Sequence, residues 1–537
     1  MMTLLALRLR RDRVQLLLWI LGAAALAAAS AAGIDRSFGT EADRRALLAA
    51  ALANPVILLF RGLPSGSGMG AFLAFLVLPF LALMAALMSA FLVVRHTRAE
   101  EEAGRAELVA ATRAGRLAPL AATLFHGALA NVVFGAVVAA SLITIGLDAA
   151  GSVLSGLAAA ATGLAFVGVA AVAAQLARTA RTASAISVWA ILLTYLLCGI
   201  GNAAGTPSAD LQRMESGWLT WLSPFGWAEN VRPYDADDPT PLLLTGGLTL
   251  VTVGVAVALH RARDLGEGIL PERKGRAEAT RGLRGSTALA WRLSRGAVLG
   301  WVVGALLSGA LSTRLASVIS GIAGTIPSLE AVVRSLASQG SLAQSIVTVF
   351  FALVGILAAA AGVQTVLRAR QEEARGTAEA VRAGALGRAR WMSSWLLVAA
   401  LAILVVAAAA VAGAAVGLLT QADADWTLMR DAAVTATGQA LAASVVAILA
   451  AAVFVVLPRA TIPAGWGLLA VATIVGLFGP IVGLPEQVVD ASPFAAAPTL
   501  SGDEIDGRGI VWLLAALAAG LVIVFTAVRR RELHPDG

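Results

Sequence analysis

Apolar residues in this chain arrive in long unbroken blocks, without the period of 2 expected of a half-buried strand or the 3.6 of a surface helix. The blocks run from about 14–33, 70–94, 119–147, 152–177, 184–203 and 241–260, and then from 297–313, 345–366, 392–419, 431–457, 464–484 and 509–528. Some 20 residues at 1.5 Å each cross a hydrocarbon core about 30 Å thick. The pattern therefore predicts an all-α polytopic membrane protein with about 12 transmembrane helices, arranged as two six-helix halves. Composition agrees: 58% of the residues are hydrophobic and 14% charged, against about 25% charged in soluble domains.

Charge orients the spans. With the N-terminus inside, most of the 40 Lys and Arg residues fall on the cytoplasmic face, as the positive-inside bias requires. Both termini are expected in the cytoplasm of a cell whose plasma membrane holds the chain. Arg8, Arg10, Arg11 and Arg13 precede the first block in the manner of a signal peptide, but features of that block recur later, so it is read as a retained helix.

The recurrence is an internal duplication. Arg10, Arg13, Trp19 and Gly22 match Arg292, Arg295, Trp301 and Gly304 at an offset of 282. After the second block of each half, Arg98, Glu100, Glu101, Gly104, Glu107, Gly115 and Arg116 match Arg370, Glu372, Glu373, Gly376, Glu379, Gly387 and Arg388 at an offset of 272. Membrane hydrophobicity does not restrict composition in a loop, so seven coincidences at one spacing point to duplication. A weaker echo sets Ser223, Pro224 and Phe225 against Ser492, Pro493 and Phe494. The expected organisation is a first half at 1–262, a cytoplasmic linker at 263–290 and a second half at 291–537. The linker is basic, Gly-rich and broken by Pro271, which predicts irregular structure. The outer loops at 34–69 and 204–240 have room only for short interfacial helices.

The repeated loop resembles the cytoplasmic loop of type 2 ABC exporter permeases, whose usual text is Glu-Arg-Gly-Thr-Leu-Glu-Leu-Leu. Glu373, Arg375, Gly376, Thr377 and Glu379 follow it closely, while Arg105 departs from the usual Thr. Over nearly its whole length the chain looks like the duplicated actinobacterial branch associated with export of polyketide antibiotics, including the tetronasin-resistance type. The stretches VVRHTRAEEEAGR, RDLGEGILP, AWRLSRG and SPFGWAENVRP carry that likeness. The resemblance implies a coupling helix in each loop that docks a separate ATP-binding subunit, with two copies, one per half. It assigns that contact to Arg98, Glu100, Glu101, Gly104 and Glu107 and to Arg370, Glu372, Glu373, Gly376 and Glu379. It also implies a hydrophobic small-molecule cargo such as a drug or antibiotic.

A phosphate-cradling loop needs Lys followed by Ser or Thr, whereas Lys274, the single lysine, is followed by Gly275. The chain is thus expected to be a transport subunit, not an enzyme, with no cofactor of its own and ATP and Mg held by the partner. No nucleic-acid partner is expected. No metal is assigned, because Cys198 stands alone and His96, His126, His260 and His534 lack zinc-helix spacing. An ion-gradient transporter is the main alternative, and export of an endogenous lipid is another. Ion coupling calls for intramembrane acids or histidines, and the spans hold few, with Asp148 and Asp431 at predicted ends. His126, Asn131, Gln175, Asn202 and Gln439 are expected to bond helix to helix, and Trp218, Trp221, Phe225 and Trp227 to form an interfacial belt.

Overall fold

The computed structural model describes residues 2–52, 55–112, 115–270, 285–322, 341–384, 386–421, 423–479, 485–501 and 504–530. Lys274 and half of the expected linker, 271–284, lie outside the described residues. Twelve helices among the described residues are long and apolar enough to span a bilayer, so the chain is an all-α polytopic membrane protein. It divides into two compact units, Met1–Lys274 and Gly275–Gly537.

The long helices of the first unit are α1 (Met2–Ser37), α2 (Met69–His96), α3 (Ala118–Thr144), α4 (Ala149–Leu176), α5 (Ala180–Ala203) and α6 (Leu242–Ala262). Helices α2 and α4 form the centre, each with 72% of its apolar window buried, whereas α6 has 11% and presents Leu243, Leu250 and Val251 outward. An outward apolar face of this kind suits lipid, which supplies no hydrogen bonds and needs none from the side chains. Small residues bring α3 and α4 together: a Cβ on Gly156 would stand 2.3 Å from the Gly135 carbonyl oxygen, and one on Gly135 would stand 2.6 Å from that of Gly156. Close backbone approach between small residues is a common basis of helix association in membranes.

Helix α1 starts about a dozen residues before its apolar block. Its buried stripe passes through Leu5, Arg8, Asp12, Ile20, Ala23, Ala27, Ala31 and Ile34, so the helix keeps one inward face across the change from charged to apolar text. The outer connections are short helices, Glu41–Leu52, Pro55–Phe60 and Pro224–Glu229, with a small hairpin pairing Thr206–Pro207 and Met214–Glu215. Pro224 begins a helical turn, capped by Ser223, whose hydroxyl accepts from the Phe225 amide at 3.2 Å. Proline lacks the N–H that a first turn leaves unused, which explains its place there. Phe225 departs from the expected belt: it is buried against Phe166 and Tyr195, while Trp218 and Trp221 stay exposed.

In the second unit the long helices are α7 (Ser286–Ile322), α8 (Leu342–Ala374), α9 (Arg388–Leu419), α10 (Leu428–Val456), α11 (Thr461–Thr473) and α12 (Ile510–Arg530). The centre falls on α8 and α10, with 61% and 67% of their windows buried, the counterparts of α2 and α4. The closest backbone approach differs, however. Here α7 and α9 touch, since a Cβ on Gly309 would lie 1.9 Å from the Ala410 carbonyl oxygen and one on Gly413 would lie 2.0 Å from that of Leu306. A π-helical turn, Ile474–Phe478, follows α11, and a hairpin of Thr499–Ser501 with Glu504–Asp506 precedes α12.

Candidate functional site

Buried polar contacts anchor the duplicated loop in each unit. In the first, the helix breaks at Thr97, and Arg98 begins a short turn, Arg98–Glu102. The Arg98 side chain is fully buried. Its Nε and Nη2 donate to the Ala174 carbonyl at 3.0 and 2.6 Å, and its Nη1 donates to Glu101 at 2.8 Å and to the Glu267 carbonyl at 3.1 Å. Ala174 lies in the last turn of α4, where carbonyls have no helical partner and the helix dipole favours a cation. Glu101 is itself gripped by Arg263 just beyond α6, through Nη2 at 2.5 Å and Nη1 at 2.9 Å. Arg263 Nε then donates to Gln175 at 2.6 Å, whose side-chain oxygen also lies 3.2 Å from His260 Nδ1. The loop is thereby fastened to the ends of α4 and α6 by charge-assisted bonds that satisfy one another.

Gly104 follows with φ 71°, a left-handed conformation that costs an L side chain strain, and a second short helix, Arg105–Ala110, leaves in a new direction. Residues here point outward. Glu100 takes Arg11 at 2.5 Å and Arg105 at 2.7 Å, and this ion pair raises the Arg105 guanidinium above its ordinary range. Glu102 accepts from the Ala180 amide at 2.9 Å, at the positive start of α5, while Glu107 is exposed.

The second copy repeats the plan. Buried Arg370 donates through Nε to the Pro458 carbonyl at 3.0 Å, just past α10, and its Nη1 lies 3.6 Å from buried Glu373. Gly376 has φ 73°, and the short helix Thr377–Arg382 follows it. Thr377 donates to the Glu372 carboxylate at 2.7 Å, which also pairs with Arg368 at 2.8 Å. Glu379 is exposed.

The expected contact residues therefore separate into two groups. Arg98, Glu101, Arg370 and Glu373 are inside and hold each loop to the following helices. Glu100, Glu107, Glu372 and Glu379, displayed around Gly104 and Gly376, are the groups from which an outer surface is made. The carboxylates of Glu101 and Glu373 are turned to cations within their own units, Glu101 to Arg98 and Arg263 and Glu373 to Arg370.

A model for the family described as multidrug efflux system permease Rv1217c, C-terminal domain, matches residues 1–261 and 283–529. The chain belongs to this family. It is also similar to the multidrug efflux system permease protein Rv1217c of Mycobacterium tuberculosis (strain ATCC 25618 / H37Rv), with 35% identity over 536 residues that cover 99% of this chain and 95% of the relative. The family match takes in both loops, each built on its own buried Arg–Glu pair.

Within this permease frame, most of the polar residues of the spans bond across helices as expected. Asn131 donates to Ser89 at 2.8 Å, Asn202 to Glu229 at 2.6 Å, and Gln439 to the Phe494 carbonyl at 3.3 Å, while Gln175 serves Arg263. Asp148 caps α4 by accepting from the Gly151 amide at 3.1 Å, and Asp431 accepts from Gln344 at 3.2 Å. Burial pushes the Glu229 carboxyl up to about 7, against hydrogen bonds from Asn202 and Cys198 and from the Leu63 backbone. His126 is the exception: it is fully buried, and neither ring nitrogen has a hydrogen-bond partner. Of its neighbours, His96 was set aside with the other histidines for want of zinc-helix spacing, and Asp12 went unread because it sits inside an arginine run. The signal was the helical step from Arg8 to Asp12 and on to Ile20 along the inward face of α1.

Proposed function

We propose that the chain is the membrane permease of an ATP-driven exporter of the type 2 ABC class, in the duplicated branch associated with polyketide-antibiotic export. The observation that carries this reading is the loop built twice, once in each unit, from a buried Arg–Glu pair, a left-handed glycine and a short helix with exposed acids. A separate ATP-binding subunit docks on each loop, two copies in all, and holds the ATP and Mg. Contact falls on the outward groups around Glu100 to Glu107 and Glu372 to Glu379. The loops and both termini face the cytoplasm, and the chain lies in the plasma membrane. The cargo is a hydrophobic drug or antibiotic, in keeping with the multidrug efflux named for the relative.

ATP hydrolysis by the purified chain in lipid vesicles, alone and with its cognate ATP-binding subunit, tests the reading. Hydrolysis only in the mixture, stimulated by hydrophobic antibiotics, is expected; stimulation by lipid alone moves the cargo to an endogenous lipid. Transport that follows an imposed proton or sodium gradient without ATP sinks the proposal in favour of ion coupling. That second reading draws on one observation, the buried Asp12, His96 and His126 cluster.

A further inference from the structure

Three helices converge on one point in the first unit. Asp12 comes from α1, His96 is the last residue of α2, and His126 lies two turns into α3; each offers a ligand atom, and these atoms lie within 4.8 Å of one another. The His96 Nε2 contacts Asp12 Oδ2 directly, and His126 Nε2 stands 3.5 Å from the same oxygen. The two imidazole rings are 5.4 Å apart between centroids. We propose that Asp12, His96 and His126 form a binding site for one divalent transition-metal ion, with Zn2+ the best match.

Two imidazoles and a carboxylate are a recurrent ligand set for Zn2+, with bonds of about 2.0–2.2 Å. Ligand atoms around such a tetrahedral ion stand roughly 3.3–3.6 Å apart, the separation His126 and Asp12 already have. His126 is the decisive residue. A neutral imidazole carries one donor and one acceptor, and a fully buried ring that uses neither is poorly placed unless a ligand takes the acceptor nitrogen. The surrounding cations do not fill the site. Arg95 pairs with the other carboxylate oxygen, Oδ1, at 3.1 Å, which leaves Oδ2 facing the imidazoles, as outer-shell partners of metal ligands do. Arg8 spends its donors on the carbonyls of Pro119 at 3.0 Å and His96 at 3.4 Å.

Access is also present. His96 lines a cavity of 740 Å³ bordered by three carboxylates and four arginines, so an ion from water reaches this ligand directly. On binding, the proton that His96 Nε2 and Asp12 share leaves through this cavity to water, and the ion takes its place, with a water that follows it in from the cavity filling the fourth position. The ion would tie α1, α2 and α3 together two residues before Arg98. The second half offers no equivalent: at the offsets that align the repeat, the three positions are Ser294, Arg368 and Val398. One ion per chain follows.

The test uses the full chain without a polyhistidine tag, stripped with chelator and dialysed against Zn2+ or Co2+. One Zn2+ per chain is expected by elemental analysis, with visible Co2+ bands of a four- or five-coordinate, histidine-bound ion. Asp12→Ser and His126→Val, which install the residues of the second half, should each weaken Zn2+ binding at least tenfold, while His534→Ala leaves it unchanged. Absence of Zn2+ uptake by the unaltered chain overturns the site, and so does one equivalent retained in both variants. Should either variant fail to fold, the Co2+ spectrum of the unaltered chain decides, since the weak bands of an octahedral aquo-ion would equally overturn it.

Discussion

In the first half, Arg98 reaches back to the carbonyl of Ala174; in the second, Arg370 reaches the carbonyl of Pro458, and each loop then turns on a glycine at φ 71° or 73°. Behind these matching loops the helices differ. The first half joins α1 to α2 and α3 through Asp12, His96 and His126, while the second places Ser294, Arg368 and Val398 at the matched positions. The second half closes α7 on α9 through Gly309 and Gly413, whereas in the first the long helices brought together by facing glycines are α3 and α4. The two loops therefore share their internal chemistry, while the helix interiors behind them place their polar contacts and their close glycine approaches at different positions.

The largest expected effect tests whether the loops are equivalent. Arg98→Ala leaves Glu101 buried with one cation fewer and the end of α4 uncapped, and removal of one member of a buried pair costs about 3–5 kcal/mol. Arg370→Ala should cost a similar amount through Glu373. Thermal unfolding of the two purified variants checks this, and a full loss in one with none in the other would break the equivalence.

A smaller effect is confined to the first half. Pro498 takes the place of Glu229 when Ser223-Pro224-Phe225 is laid over Ser492-Pro493-Phe494, so the buried acid has no twin. Its carboxyl titrates near 7 in the folded state against an ordinary 4.5. The raised value means the folded state favours the proton: the contribution is present in full below about pH 4.5 and is gone once pH has risen through about 7. The loss is on the order of 3 kcal/mol. Unfolding followed between pH 5 and 8 should show stability falling with pH, and Glu229→Gln should flatten that slope.

The smallest change in stability belongs to the exposed acids. Glu107→Lys combined with Glu379→Lys should alter stability by less than about 0.5 kcal/mol yet reduce co-purification of the ATP-binding subunit. Undiminished co-purification would remove these residues from the docking surface.

Helix number and the duplicated loops were legible in the chain because both are written locally, as blocks of apolar text and as residues at one repeated offset. Sequence reading also anticipated the bonding of Asn131, Asn202 and Gln439. It did not separate Glu101 from Glu100, which are adjacent in sequence yet paired to different cations, Glu100 to Arg11 and Arg105 and Glu101 to Arg98 and Arg263, the last of these 162 residues away. Asp12 was hidden for a related reason. Hydropathy reads a charged run as the end of a span, while burial follows the face of the helix, and α1 carries its inward face straight through the arginines. The likeness of Phe225 to the neighbouring tryptophans likewise ended at composition, since its ring is held by Phe166 and Tyr195.

The Arg98 fastening has a mechanical consequence. Helix α4 has 28 residues, about 42 Å at 1.5 Å per residue, and the loop is joined to it at one end through two short bonds to a single carbonyl. A lever held so close to its tip has almost no slack, so a tilt of about 5° forced at the loop would carry the far end sideways by roughly 4 Å. Through the buried arginine, a small displacement of the loop would become a stroke comparable to the width of a side chain at the far end of α4.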